Sequence, residues 1–287
     1  MSSQSQTIDL HPDVQIHALL SNPPAVNPPA VNPSAPSALP TILFLHFWGG
    51  SSRTWSFVNP LVAAHYPTIA LDFRGWGDST GPDKPDGYWV SNLADDVERV
   101  ISSLDINDVI LVGISMGAKV AQLVAARGKV GANLRGLVLV SPAPATPLSL
   151  PSEMREQQLH AYDNAESAQF VATNVLTVPY HDRNLPGFVV EDMLRGNRWA
   201  RQAWPAYGMG EDLSEGVGEI SVPVLVLAAE NDLVEPVERV RSEVVARIPG
   251  ARMEIVQGSG HLSPLDKPEV VADNLLKFVG QLQTGFT

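Results

Sequence analysis

The chain has 287 residues, 44% hydrophobic and 17% charged, which excludes disorder over most of its length and allows a large buried core. Its 19 Lys and Arg against 31 Asp and Glu give a formal charge of -12, which argues against a nucleic-acid partner and against docking on anionic membranes. The absence of cysteine excludes disulfides, thiolate metal sites and a Cys nucleophile.

The opening segment, residues 1–15, has neither a basic region nor an apolar core, so no secretory signal is expected. No apolar run approaches the ~20 residues of a membrane-spanning helix, and a soluble, cytoplasmic protein is the default expectation. Asn22-Pro23-Pro24-Ala25-Val26 recurs as Asn27-Pro28-Pro29-Ala30-Val31 and fades into Asn32-Pro33-Ser34-Ala35-Pro36. Proline fixes φ and lacks the backbone donor. Residues 21–40 are therefore expected to form an exposed polyproline-like loop between the first two strands.

From residue 41 apolar runs alternate with amphipathic segments. The strand-like runs are Thr41–Leu45, Thr68–Asp72, Val109–Val112, Leu137–Val140, Val224–Leu227 and Met253–Val256. They are continuously apolar, as strands are when helices cover both sheet faces. Helical patterns fall at about Leu93–Leu104, Met116–Arg127, Pro236–Arg247 and Glu269–Leu282. This βαβ rhythm predicts an α/β protein with a mostly parallel sheet flanked by helices. It breaks between Ala143 and about Gly218, where short helical patterns rich in aromatics and Met alternate with Pro and Gly. That stretch predicts a helical insertion over the sheet.

Gly113-Ile114-Ser115-Met116-Gly117 sits between a predicted strand and a predicted helix. This is the context of a nucleophile elbow, a turn too tight for side chains at the glycine positions. A serine hydroxyl needs a base to become a nucleophile. Of seven histidines, His261 follows the last strand in a Gly-rich loop, Gly258-Ser259-Gly260-His261, that can carry it to Ser115. His46 is expected to pack and hydrogen-bond in its turn, and His11, His17 and His65 have no chemical context. The base needs an orienting acid, and Asp232 in Glu230-Asn231-Asp232 is the choice. Glu230 and Glu235 compete for that role, each read more simply as a solvated charge or a helix-start residue. Two backbone N–H groups are expected to hold a developing oxyanion. One is Met116, directly after the nucleophile. The other is Trp48, in the turn His46-Phe47-Trp48-Gly49-Gly50.

These residues resemble the α/β-hydrolase superfamily, and within it the small-ester hydrolases that include cofactor-free haloperoxidase-type esterases. The matching pieces are the His46–Gly50 turn with Trp55, Asp72-Phe73-Arg74-Gly75-Trp76-Gly77-Asp78-Ser79, Gly113–Gly117, Glu230–Asp232 and Gly260-His261. They run in the family's order, Ser115, Asp232 and His261 included. The resemblance implies an α/β-hydrolase core over 1–142 and 219–287 with a helical cap over 143–218 above the active site. It implies that Asp72–Ser79 is a structural loop, with Asp72 and Arg74 tying it to neighbours. The family more often has His-Gly-x-Gly at the oxyanion turn, and Phe47 replaces that glycine here.

A Ser nucleophile suits acyl carbons, whereas epoxide hydrolases and dehalogenases of this fold resemble one another in carrying Asp at the elbow. The expected reaction is cleavage of a small or medium, largely apolar carboxylic ester through an acyl-enzyme. Candidate pocket residues are Phe47 on the oxyanion turn and His160, Tyr162, Phe170, His181 and Trp204 in the insertion. The same three catalytic residues also serve lactonases and C–C hydrolases or lyases. A ligand receptor with slow turnover is a further alternative. No P-loop, dinucleotide fingerprint or H-E-x-x-H pattern occurs, so neither cofactor nor metal is expected.

Overall fold

A computed structural model describes residues 3–23, 39–181 and 184–284, the side chains of Ala132 and His181 excepted. The Pro-rich loop expected over 21–40 lies for the most part outside the described residues. The strands are β1 (Gln4–His11), β2 (Val14–Ser21), β3 (Thr41–Leu45), β4 (Thr68–Leu71), β5 (Val109–Ile114), β6 (Leu134–Val140), β7 (Val224–Ala229) and β8 (Arg252–Val256). They form one sheet in the order β1-β2-β4-β3-β5-β6-β7-β8. β1 and β2 pair antiparallel, as do β2 and β4; every other pairing is parallel. The sequence places one strand ahead of the Pro-rich segment; the structure has two there, β1 and β2, paired as an antiparallel hairpin. In β1 only Ile8 is buried, so polar and apolar positions alternate as an edge strand requires.

The helices are α1 (Asn59–Ala63), α2 (Val90–Ser103), α3 (Met116–Arg127), α4 (Ser152–Leu159), α5 (Ala165–Val171), α6 (Gly187–Arg195), α7 (Arg198–Ala206), α8 (Val237–Glu243), α9 (Ser263–Asp266) and α10 (Pro268–Gln283). None of them is long and apolar enough to cross a membrane. β4, β5 and β7 are buried at every residue, because helices cover both faces. α2 turns Val90, Leu93, Ala94, Val97, Val100 and Ile101 inward, a stripe at helical spacing. α3 is buried from Met116 to Val124. It ends at Gly128, whose φ of 62° is the left-handed C-terminal cap that glycine adopts without strain. α10 begins with Pro268 in its first turn, where a missing N–H is harmless, and buries Val271, Ala272, Leu275, Phe278 and Val279.

Between β6 and β7 the chain forms α4 to α7 and no described strand, matching the break in rhythm. Parallel register brings the strand ends to one edge of the sheet. Leu45 is level with Gly113, Ile114 with Val140, Val140 with Leu227, and Ala229 with Val256. The turns carrying Trp48, Ser115, Asp232 and His261 all leave that carboxyl-terminal edge.

Candidate active site

Ser115 joins β5 to α3 with φ 54° and ψ -117°, a region costly for a side chain with a Cβ. Its neighbours explain how the turn is held. Its N–H donates to Val140 O (3.1 Å), and its carbonyl accepts from Ala118, Lys119 and Ala143 N–H. A Cβ on Gly113 would collide with the Gly117 backbone, and one on Gly117 would lie 2.5 Å from His46 O. The two glycines thus let α3 start directly against the end of β3. That close approach puts the first N–H groups of α3, unpaired within the helix, beside the turn that carries Trp48. Trp48 N–H has no acceptor among the described residues.

His261 is buried, and its Nδ1 lies 2.8 Å from Asp232 Oδ2 and 3.0 Å from Oδ1. Asp232 is fixed in turn: its Oδ1 accepts from Val234 N–H (2.8 Å) and Glu235 N–H (2.9 Å). Burial opposes the charged imidazole, but the Asp232 charge and hydrogen bond outweigh it, with Glu235 adding to them. The net effect raises the His261 pKa above the ordinary histidine value. Nδ1 is engaged with the carboxylate, which leaves Nε2 for another partner. No hydrogen bond joins Ser115 to His261 among the described residues, and such contacts often close only around a substrate.

The inserted segment grips this histidine loop. Leu262 N–H donates to Leu176 O (2.8 Å). Asp266 Oδ2 accepts from Gly260 N–H (2.8 Å) and from Val178 N–H (3.1 Å). Burial pushes the Asp266 carboxyl up to about 6, partly offset by those two donors. A Cβ on Gly260 would be 3.0 Å from Leu176 O and 3.2 Å from the Thr177 backbone, so the insertion packs tightly on this glycine.

The turn that carries Trp48 is braced as well. His46 is wholly buried; its Nδ1 donates to Phe47 O (2.6 Å) and its Nε2 accepts from Phe73 N–H (2.9 Å). Burial lowers its pKa to about 4, so it stays neutral and structural, as the sequence suggested. Tyr162 donates its hydroxyl to Trp48 O (3.0 Å) and stacks on the Trp48 ring, centroids 4.2 Å apart. Trp48 Nε1 donates to Arg201 O (3.0 Å). Tyr162 therefore touches the turn directly. Phe47 lines a narrow recess with Gly49, Phe188, Val189, Asp192 and Leu262. Trp204 lines a second with Trp76, Tyr88, Met116 and Ala200. Each has ≈ 10 Å³ of free space, about one water.

Two other pocket expectations are corrected. His160 ends α4 in solvent, paired with Asp163 (2.6 Å) and Glu156 (3.3 Å). Phe170 on α5 is 62% exposed. Helical periodicity did not reveal which face of these short helices looks inward. The side chain of His181 lies outside the described residues.

Three further readings change. Glu235, expected to be solvated or a helix starter, is buried beside the His261–Asp232 pair. His17, which had no context in sequence, bonds Asp72 Oδ2 through Nδ1 (2.8 Å). Asp72 also accepts from Ser52 N–H (2.5 Å) and Asp78 N–H (2.8 Å), and Arg74 pairs with Asp96 (2.5 Å). The 72–79 loop is thus tied by the residues that resemblance implied. Finally Asp192, which sequence reasoning missed, holds Ser51 Oγ (2.7 Å) and pairs with Arg53. A carboxylate inside an apolar helix gave no signal of its own.

Comparisons with known proteins bear on the family and the fold. The chain is 28% identical to a non-heme chloroperoxidase, CPO-A1, from Kitasatospora aureofaciens over 84% of its length and 92% of the relative's. It is 27% identical to a bifunctional esterase/perhydrolase from Acinetobacter calcoaceticus over 85% of its length and 93% of the relative's. The solved carboxylesterase CesB from Bacillus subtilis superposes with a TM-score of 0.78 at 20% identity, covering 97% of this chain and 92% of the other. At that identity the likeness concerns the fold. The model of the Alpha/beta hydrolase family matches residues 42–274, and over that span, most of the chain, the protein belongs to the alpha/beta hydrolase family.

Proposed function

We propose that the protein is a serine hydrolase that cleaves small or medium, largely apolar carboxylic esters through an acyl-enzyme. The observation that carries this reading is the buried His261–Asp232 hydrogen bond of 2.8 Å at the sheet edge where Ser115 sits strained at the start of α3. The relative named as an esterase/perhydrolase supports acyl chemistry.

In this reading His261 Nε2 takes the proton of Ser115 Oγ as the oxygen attacks the ester carbonyl. Asp232 holds the imidazole tautomer and stabilises the imidazolium. Met116 and Trp48 N–H groups receive the oxyanion; one such donor is worth ~3–4 kcal/mol of barrier. His261 returns the proton to the leaving alkoxide. A water activated by His261 then releases the acid and restores Ser115. The 143–218 segment acts as a cap: Tyr162 braces Trp48, while Phe47 and Trp204 bound the space on either side.

Hydrolysis of p-nitrophenyl esters from acetate to decanoate, by wild type and Ser115→Ala, tests the proposal. It expects turnover in the wild type with a short-chain optimum, and none in the variant. Equal turnover in the variant contradicts it. A folded wild type that cleaves lactones or C–C bonds next to ketones but no ester would replace the substrate class.

A further inference from the structure

Glu235 differs from the other acids near the site in its surroundings. Its side chain is 1% exposed, and Oε2 has no hydrogen-bond partner among the described residues. Arg239 Nη1, one turn along α8, lies 3.6 Å away, beyond hydrogen-bond range, and Arg239 is itself more than a third exposed. The Glu235 main chain is anchored to the site, because its N–H donates to Asp232 Oδ1 (2.9 Å), on the carboxylate that holds His261 Nδ1. The loop after β7 thus delivers two buried acids, three residues apart, to one imidazole.

The charged groups that face Glu235 are Asp232 on the same loop, His261 on the loop after β8, Arg239 on α8 and Lys119 from α3. Lys119 is buried and held by Thr146 O (3.3 Å) and Met209 O (3.2 Å). A carboxylate removed from water favours its neutral form, and burial pushes Glu235 up to about 7, partly offset by the charges of His261 and Arg239. An imidazolium beside it works the other way. The charge of each group therefore bears on the protonation of the other.

We propose that Glu235 is a positioning residue that acts through His261, completing with Asp232 a two-acid surround whose second charge strengthens the base. The inference rests on His261 being the general base of the proposed reaction. A negative charge beside an imidazole favours its protonated form. Ionised Glu235 therefore raises the proton affinity of His261, and helps to hold the imidazolium that forms when Ser115 attacks. A neutral residue in its place leaves Asp232 to do this alone.

The test is the titration of the His261 imidazole by NMR in protein labelled at histidine nitrogens, with His261→Ala supplying the difference spectrum that identifies its signal. In Glu235→Gln the midpoint is expected to fall by about 0.5–1 pH unit, and the acid limb of kcat/KM for a p-nitrophenyl ester to move down with it. A purely packing role would lower stability and leave the midpoint in place, and an unchanged midpoint overturns the inference. Absence of ester turnover in the wild type would defeat the ester reading, yet the imidazole titration would still decide this one. Glu235→Met, uncharged and similar in volume, provides the same comparison if the Gln variant does not fold.

Discussion

Ser115 occupies a backbone conformation at φ 54° that costs roughly 1–3 kcal/mol for a residue with a Cβ, and it is retained where the hydroxyl meets the start of α3. In the proposed mechanism, removing this hydroxyl or its base ends ester turnover while the fold persists. Ser115→Ala and His261→Ala are each expected to lose at least a thousandfold in kcat, and Asp232→Asn a comparable amount, measured with p-nitrophenyl butyrate. The pH dependence follows from His261. The base works when neutral, and its pKa lies above the ordinary histidine value because Asp232 overcomes the effect of burial. Activity should therefore be full above that raised value and fall as pH drops through it. His46, at about 4, contributes nothing to this limb. Ser115, Asp232, His261, Met116 and Trp48 were readable because each follows a strand at a turn with its own residue pattern. Glu235 was not readable, because a glutamate in a loop gives the same signal solvated or buried.

At the scale of elements, the insertion between β6 and β7 is bonded to the turns that carry His261 and Trp48. Leu176 O and Val178 N–H fix the His261 loop, and Tyr162 fixes the Trp48 turn. In the proposed reading the acyl group is bounded by Phe47 and Trp204, which line recesses shared with Leu262 and Met116. Phe47→Ala or Trp204→Ala should shift the ester chain-length optimum upward, read as a changed ratio of kcat/KM for octanoate over acetate. An unchanged ratio in both variants would show that neither ring bounds the acyl group. The 72–79 loop is a second structural joint. Burial opposes the Asp72 charge, but hydrogen bonds from His17, Asp78 N–H and Ser52 N–H outweigh it and hold the carboxyl below its usual range. A depressed carboxyl contributes stability above its unfolded pKa and loses it as pH falls through the folded value. Asp72→Ala should lower unfolding free energy at neutral pH by about 3 kcal/mol, measured in urea. Element types were legible because continuous apolar runs and 3.6-residue stripes differ in period. The orientation of α4 and α5 was not, since short helices with exposed hydrophobics such as Met154 and Phe170 carry no dominant stripe.

For the whole molecule, the parallel sheet was legible from six apolar runs separated by helical patterns. Of the two strands before the Pro-rich segment only one was expected; the outer one was missed because β1, Gln-Ser-Gln-Thr-Ile-Asp-Leu-His, buries only Ile8 and reads as polar. The net charge of -12 acts at this scale too. It repels anionic molecules within the Debye length, which is about 30 Å in 10 mM salt and shrinks to about 8 Å near 150 mM. kcat/KM for an ester bearing a carboxylate should rise as salt is raised from 10 to ~150 mM, while that for a neutral ester stays flat. A rise for both would indicate a salt effect on the enzyme itself.

The most direct test of the central claim is intact-mass and peptide mapping after reaction with a fluorophosphonate, which traps an activated serine covalently. The account predicts one adduct, on Ser115, formed quickly by the wild type, slowly by Asp232→Asn and not at all by Ser115→Ala. An unlabelled wild type, or a label carried by a different serine, would contradict it.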